Sequence, residues 1–109
     1  DGNLPTWLSA VQVRVLPISD RYSRYAMEVH SKLSAMGIRS ELDESPSTIG
    51  YKIREAETKK VPYMAICGKR EKESSVVSVR RHGGGELGMV GVDELGRIIQ
   101  NEGKDNYKV

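Results

Sequence analysis

Phenylalanine is absent from the 109 residues, and cysteine and tryptophan each occur only once. Without phenylalanine, the core has to be built from aliphatic side chains, with tyrosine and tryptophan at its margins. The single cysteine, Cys67, excludes a framework of disulfide bonds within the chain and stands inside an apolar stretch, which is typical of proteins from reducing compartments. We therefore expect a cytoplasmic protein with an aliphatic core.

Long apolar stretches and a strong excess of one charge are absent as well. No apolar stretch approaches the roughly 20 residues that cross a bilayer, so a membrane is not an expected partner. Seventeen basic and fifteen acidic residues leave a net charge of +2, which by itself does not indicate a nucleic-acid-binding protein. The length is sufficient for one domain with one core. The placement of the charges therefore carries more information than their total.

Apolar residues recur with a strand period and a helix period in alternation. Val11, Val13 and Val15 alternate with polar residues, as in a strand with one buried face, whereas the next apolar residues recur at steps of three and four, as in a helix. The pattern predicts strands at 11–16, 38–42, 61–67, 76–80 and 87–90, and helices from about 20 to 36, about 46 to 60 and 93 to about 103. This order predicts a three-layer α/β domain in which three helices flank a mixed five-stranded sheet, antiparallel at its terminal hairpin.

Cap and turn residues set the expected boundaries of these elements. Serine, aspartate and a serine–proline pair are typical at helix starts, and glycine typically follows helix ends. The expected starts are at Ser19 or Asp20, at Ser45-Pro46 and at Asp93, and the expected stops are at Gly37 and Pro62. Two further segments, 69–73 and 83–85, are expected to be turns.

The glycine-rich segment 83–88 matches the G-x-G-x-x-G pattern of dinucleotide-binding loops. That pattern binds a pyrophosphate only where it joins a strand to a helix, because the helix N-terminus meets the phosphates. A strand is predicted to follow here, so a hairpin turn is the better interpretation. His30 and His82 are distant in sequence and Cys67 has no partner nearby, which gives neither a metal-ligand spacing nor a nucleophile pair. An active site is therefore not expected in this chain.

Basic residues cluster on the second predicted helix, in the turn after the third strand and at the end of the fourth strand. The helix, with Lys52, Glu55 and Lys59, is ordinarily explained as a solvated face. If the other two clusters share an edge of the sheet, however, they form a concave site whose donors and acceptors can bind the edges of unstacked RNA bases. These two clusters are Lys69, Arg70 and Lys72, and Arg80, Arg81 and His82.

Seven segments of the chain form a recognisable series. They are PTWLSAVQV at 5–13, LPISD at 16–20, IGYKIREA at 49–56, VPYM at 61–64, GKREKES at 68–74, VSVR at 77–80 and LGM at 87–89. In this order and spacing they closely resemble the C-terminal anticodon-binding domain of threonyl-tRNA synthetases. The likeness extends from Trp7 to Ile99, and the blocks at 7–13 and 50–55 are specific to this family rather than typical of α/β domains in general.

The resemblance implies an anticodon-binding fold of five mixed strands and three helices, in agreement with the pattern above. It further implies a parent threonine–tRNA ligase, a homodimer that charges the threonine tRNA using ATP, Mg and Zn in an upstream class II catalytic domain. On this basis residues 1–8 are expected to be a linker from that domain, 9–103 the anticodon-binding domain and 104–109 a loose tail. No catalytic residue and no cofactor is expected within this chain.

Two site residues implied by the resemblance match this sequence in type. Glu71 falls where a glutamate contacts an anticodon base, and Arg80 falls where an arginine reads the central guanine. A third position differs, since Pro46 stands in place of an asparagine that binds a base edge. That contact is therefore expected to be lost or to move to Ser45 or Ser47. The other candidate contacts to the tRNA are Lys52, Arg54, Lys69 and Arg81.

Alternatives to this interpretation remain open. Arg54 and Glu55 could equally be structural and fix the second helix against the neighbouring strand end. Pro46 also leaves open an anticodon-like module that is reused for protein contacts or for other RNA. An independent flavodoxin-like enzyme or signalling domain would need an acidic cluster or a cofactor loop at the carboxyl ends of the strands, and the sequence displays neither.

Overall fold

The structure, a computed structural model, describes the backbone of residues 6–107 and the side chains of Thr6 and of residues 8–102. Within these residues five strands and four helices follow one another, with a 3₁₀ turn before the first strand and another before the first helix. The strands are β1 (Val13–Pro17), β2 (Ser40–Leu42), β3 (Tyr63–Cys67), β4 (Val76–Arg81) and β5 (Glu86–Gly91), and the helices are α1 (Ser23–Ala35), α2 (Ile49–Thr58), α3 (Lys69–Ser74) and α4 (Val92–Tyr107).

The sheet is mixed, with the strand order β2-β1-β3-β4-β5. β1 is parallel to both β2 and β3, whereas β4 is antiparallel to both β3 and β5. Parallel neighbours need a crossover connection, which α1 and α2 provide, while a hairpin turn joins β4 to β5. The predicted α/β architecture with a mixed five-stranded sheet is confirmed, and the short α3 adds a helix to the three that the sequence predicted.

Two apolar cores lie on the two faces of the sheet. The larger core packs α1 and α4 against one face, and the smaller core packs α2 against the other. β1 and β3 contribute to both cores, because successive residues of a strand point to opposite faces. The larger core contains Val13, Val15, Ala26, Val29, Leu33, Ile38, Tyr63, Ala65, Cys67, Val77, Val79, Val90, Val92, Leu95 and Ile99, and the smaller contains Leu16, Ala56, Val61 and Met64. No helix within residues 6–107 is both long and apolar enough to cross a membrane.

α2 covers only part of its face of the sheet. Its apolar side packs on Leu16 and Met64, with the half-buried Ile66 at the margin. β4 and β5 extend beyond this contact, and their side chains on the same face are half-buried or exposed. We call this part of the sheet the open face, defined by Ser78, Arg80, Glu86 and Met89.

The start of α2 differs from the prediction. Thr48 is its N-cap, because the Thr48 side chain accepts the N–H of Tyr51 at 3.3 Å, and Ser45-Pro46 belongs to the preceding loop. The reason lies in Asp43, whose carboxylate accepts the N–H of Ser45 at 2.9 Å and so closes a local turn before the helix.

The ends of α1 and α4 differ as well. α1 is preceded by a 3₁₀ turn at Asp20–Tyr22, for which the Ser19 side chain makes no capping hydrogen bond. α4 begins at Val92, so Asp93 lies in its first turn, where a negative charge still suits the helix dipole. α4 continues to Tyr107, whereas the sequence predicted a loose tail from residue 104. Residues 1–5 of the predicted linker and residues 108–109 of the predicted tail lie outside the described residues.

The segment that the sequence predicted as a charged turn forms α3. Glu71 Oε1 accepts the N–H of Gly68 at 3.0 Å, which satisfies one of the N–H groups that a helix start leaves unpaired. Ser75, with φ of 57°, follows the helix in the left-handed conformation. The predicted turn before β5 is confirmed, since Gly83 and Gly84 both have positive φ.

Candidate nucleic-acid interface

The strand register aligns the residues of the open face. Ser78 pairs with Met89, and Arg80 pairs with Met64 on one side and with Glu86 on the other. Residues that pair directly across strands point to the same face, and Met64 packs in the core under α2. Ser78 and Arg80 therefore share the face that α2 leaves open, about 7 Å apart along β4.

Glu71 reaches the open face from the first turn of α3. Its Oε1 accepts the N–H of Gly68 at 3.0 Å, and its Oε2 accepts the O–H of Ser78 at 2.6 Å. A carboxylate has about four lone-pair positions, so both oxygens can still accept from a ligand. Because Ser78 and Arg80 are neighbours on the open face, the structure brings the two predicted base-contacting residues together.

Arg80 is half-buried on the open face, with 31% of its side chain exposed. Its Nη1 donates to Oε2 of Glu86 at 3.2 Å. Its Nε is buried and has no hydrogen-bond partner among the described residues. The accessible part of the guanidinium is therefore its Nη end, which presents N–H groups side by side to a planar acceptor.

Exposed apolar side chains border these polar groups. Met89 is 44% exposed beside Ser78, and Ile18 is 40% exposed next to Gly68. A Cβ on Gly68 would lie 2.9 Å from Oε1 of Glu71 and 3.0 Å from Cδ1 of Ile18, so glycine permits both side chains to approach the backbone. An apolar border around a carboxylate and a guanidinium suits unstacked nucleic-acid bases, which expose both a π face and a polar edge.

A polar cavity of about 290 Å³ lies beside Ile18, between the loop after β1 and the loop before α2. Ser45, Pro46 and Ser47 all line it, so the residues of the predicted third base contact lie together at one wall. Proline offers no side-chain donor or acceptor, whereas each serine hydroxyl offers both. The remaining lining residues are Ile18, Ser19, Asp20, Thr48 and Lys52.

The sequence predicted that the second helix exposes Lys52 for a tRNA contact, and the expected exposure is wrong. Only 3% of the residue is exposed, and its Nζ donates to the carbonyl of Pro17 at 2.9 Å. Its place on α2 explains the burial, because Ile49, Ile53 and Ala56 on the same side of the helix pack towards the sheet. Lys52 therefore joins α2 to the end of β1.

Two predicted tRNA contacts are exposed near the open face. Arg54 is exposed one turn before Glu57 on α2, and Oε1 of Glu57 accepts the N–H of Gly83 at 3.3 Å. This contact places that side of α2 next to the β4–β5 hairpin. Lys69 is exposed at the start of α3, two residues before Glu71. Both cations are thus available to attract phosphate groups.

Arg81 lies on the face of the sheet opposite to Arg80. Its guanidinium carbon is 5.5 Å from the centre of the Tyr63 ring, and its Nη2 is 3.9 Å from Oε2 of Glu102 on α4. The Tyr63 hydroxyl donates to the same carboxylate. The structure therefore does not bring Arg81 together with Glu71 and Arg80.

A buried ion cluster that the sequence analysis missed lies behind the loop before α2. Arg14 of β1 is only 7% exposed. Its guanidinium nitrogens lie 3.4 Å from Glu41, 3.4 Å from Glu55 and 3.6 Å from Asp43. The cluster joins β1, β2 and α2, and it gives Glu55 the structural role that the sequence left open. The signal in the sequence is an arginine within the otherwise apolar strand 13–17.

Asp43 connects this cluster to the loop before α2. Burial alone would raise the pKa of the Asp43 carboxyl, but hydrogen bonds from Ser45 and the charges of Arg14 and Lys52 hold that pKa below its usual value of 3.8. The folded protein therefore favours the ionised carboxylate. This contribution to stability is present above the usual pKa and is lost as the pH falls through the lower folded-state value.

We expect Asp43→Asn to lower the free energy of unfolding by about 1–3 kcal/mol at neutral pH, because Arg14 and Lys52 lose a negative partner. The difference from the wild type should be smaller at an acidic pH below the usual pKa of 3.8 than at neutral pH, because Asp43 itself becomes protonated as the pH falls. Urea unfolding followed by circular dichroism at both pH values measures the difference. Glu44→Gln, at the exposed neighbouring residue, is the control, and an equal loss for Asp43→Asn at both pH values would contradict the expectation.

The burial of Cys67 and the grouping of the other potential metal ligands bear on whether these side chains can serve as sites for chemistry. Burial, followed by the nearby Glu71 carboxylate, raises the pKa of Cys67 to about 12, so this thiol stays protonated at neutral pH. Within the described part of the chain, no group of three or more His, Cys, Asp or Glu residues could hold a metal ion.

Comparison with known proteins connects this geometry to a family. A family model described as "Anticodon binding domain" matches residues 12–102. The chain belongs to this family. Curated relatives of the anticodon-binding domain are threonine–tRNA ligases. The one from Desulforamulus reducens is 46% identical over 101 residues, and the one from Caldanaerobacter subterraneus subsp. tengcongensis is 51% identical over 101 residues. Each match covers 93% of this chain and 16% of the relative.

A solved structure supports the same assignment. The RNA-binding domain of the threonyl-tRNA synthetase from Cryptosporidium parvum Iowa II matches with a TM-score of 0.87 and 31% sequence identity, over 93% of this chain and 26% of that one. The predicted resemblance to the anticodon-binding domain of threonyl-tRNA synthetases is therefore confirmed. The chain spans about a sixth of the length of the curated relatives.

Proposed function

We propose that this anticodon-binding domain is part of a threonine–tRNA ligase and binds the anticodon loop of the threonine tRNA on the open face of its sheet. The observation that carries the proposal is the shared face of Glu71 and Arg80, which follows from the Glu71–Ser78 hydrogen bond and the register of β4. The family supplies the class of ligand, and the open face supplies the groups that can bind it.

Each group on the open face has a distinct role in this proposal. The two Nη atoms of Arg80 donate to O6 and N7 of the central guanine, the bidentate contact that guanine favours. Glu71 accepts from the amino or imino group of a neighbouring base. Ile18 and Met89 lie against base faces, where apolar contact replaces the stacking that the bases lose when they separate.

The surroundings of the open face complete the proposed interface. Ser45 or Ser47 binds a third base edge in the polar cavity, in place of the asparagine that Pro46 replaces. Arg54 and Lys69 hold the RNA backbone through its phosphates, a contact without sequence preference. Lys52 and Arg81 take no part, because one is buried and the other lies on the opposite face.

The proposed parent enzyme charges the threonine tRNA with threonine using ATP. Its catalytic domain, with Mg and Zn, lies upstream of this domain, and the enzyme is a cytoplasmic homodimer. The relatives support this division, because they are several times longer than the chain. This domain contributes RNA recognition and no chemical step.

Fluorescence anisotropy with labelled RNA stem-loops tests the proposed function. The chain should bind a stem-loop carrying the threonine anticodon about tenfold or more tightly than the same stem-loop carrying an unrelated anticodon, since each base contact discriminates by about 1–3 kcal/mol. Binding should weaken as salt is added, because phosphate contacts release counterions. Equal binding of both stem-loops would instead favour a module reused for other RNA or for protein contacts, the function that Pro46 in the polar cavity would fit.

A further inference from the structure

Glu86 contacts Arg80 but makes no contact of its own to the RNA in the proposed function. Its side chain is 64% exposed at the start of β5, yet its Oε2 accepts from Nη1 of Arg80 at 3.2 Å. Exposed ion pairs contribute little to stability. The pairing therefore calls for an explanation other than stability.

A β-bulge brings Glu86 to this position. Val79 pairs with Gly88, but Arg80 pairs with Glu86, so Leu87 is an extra residue in β5. In an unbroken ladder Arg80 would face Leu87, and Glu86 would pair with the next residue of β4 and point to the opposite face of the sheet. Gly88, with φ of 80°, supplies the left-handed backbone at the bulge. Bulges of this kind re-aim side chains next to functional sites.

The contact leaves the binding end of the guanidinium available. Each Nη atom carries two N–H bonds, and Glu86 accepts from Nη1 only. Nε is buried, without a hydrogen-bond partner among the described residues, so the edge that contains Nε is closed to a base. The remaining N–H bonds of the two Nη atoms can still approach O6 and N7 of a guanine together. Glu86 thus fixes the direction of the guanidinium without occupying its whole donor end.

We propose that Glu86 is a positioning residue that orients Arg80 for guanine, and that the bulge at Leu87 and Gly88 exists to place it there. The inference rests on the proposed function, because it presupposes that Arg80 reads a guanine. An arginine held in one orientation loses less side-chain freedom on binding and tolerates fewer alternative bases. The expected consequence is specificity for guanine rather than tighter binding to RNA in general.

Two substitutions of Glu86 distinguish its effect on the orientation of Arg80 from the effect of its negative charge. Glu86→Ala and Glu86→Gln remove the same negative charge, so both should raise affinity for any RNA slightly and equally. Only glutamine keeps an acceptor for Nη1 of Arg80. Dissociation constants are measured for two stem-loops, one with the threonine anticodon and one in which adenine replaces its central guanine, and their ratio gives the discrimination.

We expect Glu86→Ala to reduce the discrimination ratio by about three- to tenfold, as is usual for coupled neighbours, and Glu86→Gln to retain most of it. In an Arg80→Ala background neither change should alter the ratio. Glu28→Gln, on the exposed side of α1, is the distant control for charge. Circular dichroism checks that each variant is folded.

Three other results of these measurements would overturn the inference. An unchanged or larger ratio for Glu86→Ala would overturn the inference and leave the proposed function standing, and the larger ratio would mean that Glu86 blocks Arg80. An equal loss with Glu86→Gln would also overturn it, since charge alone would then be responsible. If the wild type itself binds both stem-loops equally, the proposed guanine contact fails and the inference fails with it.

Discussion

Replacement of Arg80 by alanine is expected to weaken binding of the threonine anticodon stem-loop by about 5- to 150-fold, the equivalent of about 1–3 kcal/mol for one bidentate base contact. The same change should hardly affect a stem-loop that has adenine in place of the central guanine, because adenine presents an amino donor where guanine presents O6. Titrations of both stem-loops at one fixed salt concentration measure the two effects. Stability should change little, since among the described residues Arg80 forms an ion pair only with the exposed Glu86.

β4 contains its own matched control for this experiment. Arg81 is the next residue along the strand, and its removal changes the net charge equally, but it lies on the opposite face over Tyr63. Arg81→Ala should therefore reduce affinity for both stem-loops alike and by less than about threefold, through general electrostatics alone. Equal losses of discrimination for Arg80→Ala and Arg81→Ala would contradict the assignment of the open face as the interface.

The alternation of β4 shows how much of the site the sequence could predict. Successive strand residues point to opposite faces, so Arg80 and Arg81 cannot serve the same site. The sequence predicted that this strand ends at Arg80, however, and only the structure extends β4 to Arg81. The pattern of residues in the sequence could not show that Glu71 and Arg80 lie on the same face. Their shared face depends on α3, which the capping contact of Glu71 with Gly68 creates in a segment whose composition suggested a turn.

Lys52 and Arg14 show why the burial and the partners of some charged side chains could not be predicted from the sequence. A lysine on an amphipathic helix is ordinarily solvated, but Lys52 lies on the side of α2 that packs towards the sheet, where the carbonyl of Pro17 accepts from its Nζ at 2.9 Å. In the sequence, Arg14 alternates with valines and so is expected on the solvent side of a half-exposed strand. In the structure α2 covers that side, and its Glu55 forms an ion pair with Arg14. Both cases depend on the packing of one element on another, whereas the order of strands and helices follows from the local period of apolar residues.

Among the substitutions proposed here, removal of the Arg14 guanidinium is expected to lower the free energy of unfolding the most. Arg14→Met keeps most of the side-chain volume but leaves Asp43, which is buried, and the partly buried Glu55 without their shared cation. Breaking a buried ion pair in this way lowers the free energy of unfolding by about 3–5 kcal/mol, which urea unfolding at neutral pH measures. Arg24→Met, at an exposed arginine of α1, should change stability by less than about 0.5 kcal/mol.

A second substitution tests whether the loss of stability in Arg14→Met arises from carboxylates that have lost their cation. If it does, Glu55→Gln should destabilise the wild type but partly restore Arg14→Met, because it removes one of the charges that repel each other once Arg14 is gone. The double-mutant cycle should then show a coupling of about 0.5–3 kcal/mol. Additive losses would mean instead that Arg14 acts through its packing, as the methylene stem of an arginine can, and that the three carboxylates are individually tolerated beside β1.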